Sequence, residues 1–184
     1  DQAGFGGTPL PGPRGGLMQW TEHAAALMAT LGHDRYAVVG HSMGGAVALS
    51  LAATYPERVT HVVGVSTMGT PGAPLSPELD ALWAASPDED GARDMLGRLF
   101  LSPDHVTPTA VEARATAMRA AADAYAALFP APRERWVEDL TLTPEALAGI
   151  TSPVLLVHGA EDGVTPLHEA ALPLLGLLTD VRLH

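Results

Sequence analysis

Between Leu17 and Leu31 the apolar residues fall at positions 17, 20, 24, 27, 28 and 31, the spacing of an amphipathic helix, and Gly32 is placed to cap its end. The next apolar run, "YAVVG" from Tyr36 to Gly40, is short, β-branched and aromatic, and predicts a buried strand. Helical spacing returns in "MGGAVALSLAATYPERV" and holds until Pro56. "VTHVVGVS" (Val59 to Ser66) and "PVLLVHG" (Pro153 to Gly159) predict two further strands, and "DVRLH" begins a fourth. Strands alternating with helices imply a parallel, doubly wound α/β sheet. From about Gly69 to Ala146 that alternation stops. The stretch is rich in Ala, Pro and acidic residues and predicts helices separated by turns at "SPDEDG", "LSPDHVTP" and "FPAPRERW". The expected organisation is a core formed by residues 1–68 and 147–184, with residues 69–146 inserted as a helical cap.

Composition narrows the class of function. A chain of 184 residues with 47% hydrophobic residues suits one domain with a real core. The absence of cysteine excludes disulfides and thiolate metal sites. The formal charge is -11 and every basic residue is arginine, so nucleic acid and anionic membranes are not expected partners. No run of 18 apolar residues is present, which excludes a transmembrane helix. The chain opens on "DQAGFGG" with neither methionine nor a targeting pattern.

The chemistry starts at "VVGHSMGGAV". Gly40, Ser42 and Gly44 form G-x-S-x-G between a predicted strand and a predicted helix, the setting in which a serine is held on a strained turn with its hydroxyl exposed. Glycines two before and two after the serine are expected to let neighbouring backbones pass close, and the helix N-terminus offers N–H donors to an oxyanion. Such a serine needs a base, and the base needs a carboxylate to orient it. In this architecture the acid follows a later strand, and Asp162 in "HGAEDGVTPL" is best placed, with Glu161 as its rival. Thr165 and Pro166 are expected as N-cap and first residue of the following helix.

None of the eight histidines fits the role of base. His23, His33, His61, His105 and His168 fall on predicted helices, a strand, a loop or the cap; His158 precedes the acid, where it fixes the turn; and His184 still lies in the last strand. Nothing before Leu17 supplies the earlier strand and loop from which a second oxyanion donor would come. The expectation is an internal piece of a longer enzyme, inactive alone, with the catalytic histidine beyond His184. Exposed apolar sheet edges would make such a piece poorly soluble.

"GFGGT", "VVGHSMGGAVALSLAATYPERV", "MGTPG", "FPAPRERWV", "LLVHGAEDGVTPL" and "DVRLH" together resemble the meta-cleavage product hydrolases of the α/β-hydrolase superfamily, in particular the 2-hydroxymuconic semialdehyde hydrolases. The elbow and "HGAEDGVTP" are common to many members of the superfamily, whereas "MGTPG", "FPAPRERWV" and "DVRLH" are more particular. The resemblance implies an α/β-hydrolase fold with a helical cap, a cytoplasmic location, no metal or organic cofactor, a small-molecule dienoate substrate, and a homo-oligomer as an open option. It assigns Ser42 as nucleophile or general-base partner, Asp162 as triad acid and the Met43 backbone N–H as one oxyanion donor. Arg114, in "VTPTAVEARATAM", matches a cap arginine that binds the substrate carboxylate, which a guanidinium fork does bidentately. Trp136 is a candidate for lining the pocket, although an aromatic after a Pro-rich turn is more often a packing anchor.

The residue before the serine, often asparagine in this family, is His41 here, as in many esterases and lipases. His41 is therefore a candidate substrate contact that loosens the substrate assignment. A carboxylesterase or other acyl hydrolase of the same fold remains an alternative, as does a non-catalytic binding protein on that fold.

Overall fold

The computed structural model describes residues 1–9 and 16–184. Its frame is a four-stranded parallel sheet, β1 (Tyr36–His41), β2 (Val59–Val65), β3 (Val154–Val157) and β4 (Val181–Leu183), laid side by side in chain order. The helices are α1 (Leu17–Thr30), α2 (Met43–Thr54), α3 (Pro77–Ala84), α4 (Glu89–Leu99), α5 (Pro108–Leu128), α6 (Glu134–Leu140), α7 (Pro144–Ala148) and α8 (Leu167–Ala170).

Register separates the two faces of the sheet. Val38, Val62, Val154 and Val181 stand in one row, with Val62 and Val154 buried in the core. The alternate row is Val39, Val63, Leu155 and Arg182; here Val39 is 74% exposed and Leu155 38% exposed. Helix α2 lies against β1 and β2 and also touches α1 and α7. Its residues from Gly45 to Ala52 are all buried, as expected for a helix apolar on every side. The one hydroxyl in that stretch, Ser50, accepts a 2.8 Å hydrogen bond from Thr21 of α1. That bond avoids the cost of about 1–3 kcal/mol that an unsatisfied buried hydroxyl carries.

Helix α1 ends where the sequence places its cap: Gly32 takes φ +77°, and the N–H groups of Gly32 and His33 close on the carbonyls of Ala29 and Met28. The breaks between the later helices do more than turn the chain. Asp88, within the expected turn "SPDEDG", accepts from the Gly91 N–H and starts α4. Ser76 and Thr143 likewise cap α3 and α7, each followed by a proline at the first helical position.

Residues 69–146 do not share one apolar unit. Ala92 and Leu96 of α4 pack with Val111 and Ala115 of α5 in a small cluster of their own. Phe129 and, on α6, Trp136, Val137 and Leu140 belong to the main core with the sheet and α2. Residues 1–9 form hydrogen-bonded turns without a strand, and Ala3 accepts the Trp20 indole N–H at 2.9 Å. The remainder of the segment expected to lack a strand-loop unit, residues 10–15, lies outside the described residues. Among the described residues no helix is long and apolar enough to cross a membrane.

Candidate active site

Ser42 sits between β1 and α2 with φ 54° and ψ -121°, one of two residues other than glycine with positive φ among those described. A side chain in that region costs of order 1–3 kcal/mol and persists only when its surroundings hold it. Here the hold is backbone. The Ser42 N–H donates to Val65 O at 2.9 Å, and Ser42 O accepts from Gly45 N at 2.9 Å and Met68 N at 3.1 Å. The hydroxyl makes no capping bond to α2. Met43 opens α2, so its N–H is among the first-turn donors with no intrahelical acceptor.

The glycines around the serine divide the work differently from the sequence expectation. A Cβ on Gly40 would overlap the Gly44 carbonyl, so Gly40 is required by close approach. A Cβ on Gly44 would meet nothing within 4 Å. The second tight approach is at Gly45, where a Cβ would run into the Thr67 side chain.

Asp162 follows β3 in a loop closed by its own carboxylate. Oδ1 accepts from Val164 N at 3.0 Å and Thr165 N at 2.9 Å, and Oδ2 accepts from the Thr165 hydroxyl at 3.1 Å. Burial pushes the Asp162 carboxyl up. The Thr165 amide, the Ser66 side chain, the Thr165 hydroxyl and nearby His158 outweigh that push and hold it below the ordinary carboxylate value. Thr165 and Pro166 do not cap and open the next helix as expected. Thr165 is engaged by Asp162, Pro166 is extended at ψ 132°, and α8 begins at Leu167. His158 fixes the turn: its Nε2, 2.7 Å from Thr165 O, must carry a proton, since a carbonyl only accepts. The same Nε2 is 3.7 Å from Asp162 Oδ2, and the imidazole is 1% exposed.

Ser42 and Asp162 open into one cleft of about 860 Å³ between the strand tips and α3 to α5. His41, Glu161 and Arg114 line it too. Arg114 rests its Nε and Nη2 on the Met95 sulfur at 3.0 and 2.8 Å, and among the described residues it has no carboxylate partner. Arg98, in the same cleft, is neutralised by Asp94 at 2.9 Å. Trp136 does not line the cleft. It is 2% exposed, edge-on to Phe129 at 5.4 Å, and its indole N–H donates to Pro130 O, so it is a packing anchor of the core.

No histidine among the described residues hydrogen-bonds both Ser42 and Asp162. Reading the sequence for motifs missed Ser66 and the apolar wall of Trp83, Leu99, Phe100 and Leu101. Ser66 was findable as the residue ending a strand next to the elbow, because groups at C-terminal strand tips converge. The wall carries no motif, since which helix faces the strand tips is a tertiary matter.

The model for the alpha/beta hydrolase fold matches residues 1–183. The chain belongs to the α/β-hydrolase family. Within it, 2-hydroxy-6-oxo-2,4-heptadienoate hydrolase of Pseudomonas putida strain F1 is 34% identical over all of this chain and 67% of its own length. A 2-hydroxymuconate semialdehyde hydrolase of Pseudomonas sp. strain CF600 is 32% identical over 90% of this chain and 58% of its own. The solved structure of a serine-to-alanine mutant of the meta-cleavage product hydrolase CumD from Pseudomonas fluorescens IP01, complexed with acetates, superposes with a TM-score of 0.93 at 29% identity, covering all of this chain and 68% of that one. These likenesses agree with the meta-cleavage resemblance of the sequence. An ester-cleaving member is similar as well: the pimeloyl-[acyl-carrier protein] methyl ester esterase of Aromatoleum aromaticum is 34% identical over 98% of this chain and 74% of its own. The chain thus spans between about three fifths and three quarters of these proteins.

Proposed function

We propose that the whole protein hydrolyses a carbon–carbon bond of a 2-hydroxy-6-oxo-dienoate, the ring-opened product of a catechol. Ser42 and Asp162 are two members of its catalytic unit, and Arg114 is its carboxylate clamp. The observation that carries this reading is the meeting of these three residues, far apart in sequence, on one cleft. The relatives' substrates support it.

In this mechanism the enol substrate first becomes its keto form, with the carboxylate end held by Arg114. Ser42 and a base then bring water to the C6 carbonyl, whose oxyanion is stabilised by the Met43 N–H at the head of α2. The C5–C6 bond breaks, its electron pair passing into the extended enolate. Proton transfer completes a 2-hydroxypenta-2,4-dienoate and a carboxylic acid, formate for a semialdehyde. Asp162, kept ionised, orients the base and stabilises the charge that forms on it. Residues 69–146 act as the cap over the reaction, and His41 beside the nucleophile contacts the substrate.

The test follows the yellow dienolate's absorbance and identifies both products. Arg114→Met is expected to raise KM for the dienoate roughly tenfold to a hundredfold, the loss of a charge-assisted pair of about 1.5–3 kcal/mol. Turnover of a neutral p-nitrophenyl ester should be unaffected by it. The second reading, ester hydrolysis, is favoured by His41 and by the similarity to the methyl ester esterase. Ester turnover without any dienolate decay would decide for it.

A further inference from the structure

Helix α4 engages two arginines, and it does so from two of its faces. Ala92, Met95 and Leu96 repeat at helical spacing and are buried. Asp94 lies off that stripe and pairs with Arg98 one turn on, Nε to Oδ2 at 2.9 Å and Nη2 to Oδ1 at 3.2 Å. Met95 instead reaches α5, where Arg114 lies between the buried Val111 and Ala115. The Arg114 Nε–H and Nη2–H both donate to the Met95 sulfur, at 3.0 and 2.8 Å. Two arginines of one cleft are thus held in opposite electrostatic states. The Asp94 carboxylate cancels the charge of Arg98. A thioether is an uncharged, weak and polarisable acceptor, so it fixes the Arg114 guanidinium and leaves its charge whole.

We propose that Met95 is a positioning residue for the carboxylate clamp: it holds the Arg114 fork aligned, without neutralising it, until the substrate carboxylate takes over the N–H groups. This rests on the reading of Arg114 as that clamp. A long side chain loses rotamer freedom when it is immobilised on binding, and one already held loses less. The sulfur is itself well placed to hold, since Met95 is 3% exposed and its neighbour Leu96 packs with Val111 and Ala115. The exchange runs toward the substrate, because a charge-assisted hydrogen bond is about twice as strong as a neutral one. An acid at position 95 would hold the fork as firmly but compete with the substrate. Leucine would fill the space without holding it.

Met95→Leu keeps the apolar volume and removes the acceptor. In the whole protein it is expected to raise KM for the dienoate roughly twofold to tenfold, the freedom of one long side chain, with the loss in KM rather than in kcat. In an Arg114→Met background the same change should add nothing. The Arg114 Hε resonance, assigned by its absence from Arg114→Met, reads the positioning without turnover: its exchange with solvent should be several-fold faster in Met95→Leu. Met95→Glu, which supplies a cancelling charge, should raise KM further, toward that of Arg114→Met; the leucine variant decides the matter if the glutamate variant does not fold. A KM that is unchanged or lowered by Met95→Leu overturns the proposal. So does a rise of equal size in both backgrounds, which marks a general packing effect. An Arg114→Met protein with unaltered KM would instead sink the clamp itself, while Hε exchange still judged whether Met95 holds Arg114.

Discussion

At the tip of β1 the chain turns on backbone alone, whereas at the tip of β3 it turns on side chains. Ser42 is held at φ 54° by three main-chain hydrogen bonds and by a glycine at position 40 that lets the Gly44 carbonyl in. Asp162 is held by two amides of its own loop and the Thr165 hydroxyl, with the His158 imidazole 3.7 Å from its Oδ2. The difference fits the roles proposed for the two groups. A nucleophile must leave its hydroxyl to the base and the substrate, so its position is fixed through its main chain. A carboxylate that stays ionised in a half-closed site must be saturated with donors, so its position is fixed through its oxygens.

This contrast can be broken at either tip. The largest effect is expected from Gly40→Ala, because the new methyl would meet main chain rather than a movable side chain; the loss should be roughly 3 kcal/mol or more by denaturant unfolding. Next comes Thr165→Val, which removes a hydroxyl donor from Asp162 and should cost about 1 kcal/mol at neutral pH. That cost should depend on pH. The folded pKa of Asp162 is depressed, so its contribution is fully present above the unfolded value of about 3.9 and is lost as pH falls through the lower folded value. The two proteins should therefore converge in stability at strongly acidic pH. The smallest effect is expected at Gly44→Ala, where a Cβ meets nothing and alanine suits a helix better; a gain of up to about 1 kcal/mol is expected. A loss at Gly44 as large as that at Gly40 would erase the distinction drawn between them.

The two tips also differ in how far the sequence reveals them. The elbow is legible because a turn built on backbone demands particular residues at fixed spacing, and Gly40 and Ser42 sit in that pattern between periodic segments. Gly45 is required by a neighbour 22 positions on, Thr67, and no local spacing announces that. The acid loop is half legible. Asp162 stands out after a strand, but the engagement of Thr165 by its carboxylate mimics a helix cap in sequence and sets α8 one residue later. Ser66 and the apolar wall of the cleft depend on which strands adjoin and which helices cross their tips. The strands, α1 and α2 follow from periodicity nearly to the residue, whereas Trp136 shows its limit: the same aromatic suits a pocket or a core, and the core holds it.

The central claim is that these two differently built tips serve one reaction, and a double-mutant cycle on dienolate turnover tests it most directly. Ser42→Ala and Asp162→Asn should each lower kcat, the first by roughly a thousandfold or more. If they act as a unit, the double variant should be no slower than Ser42→Ala alone. Losses that simply multiply, or a Ser42→Ala protein that turns over like the unaltered one, would contradict the account.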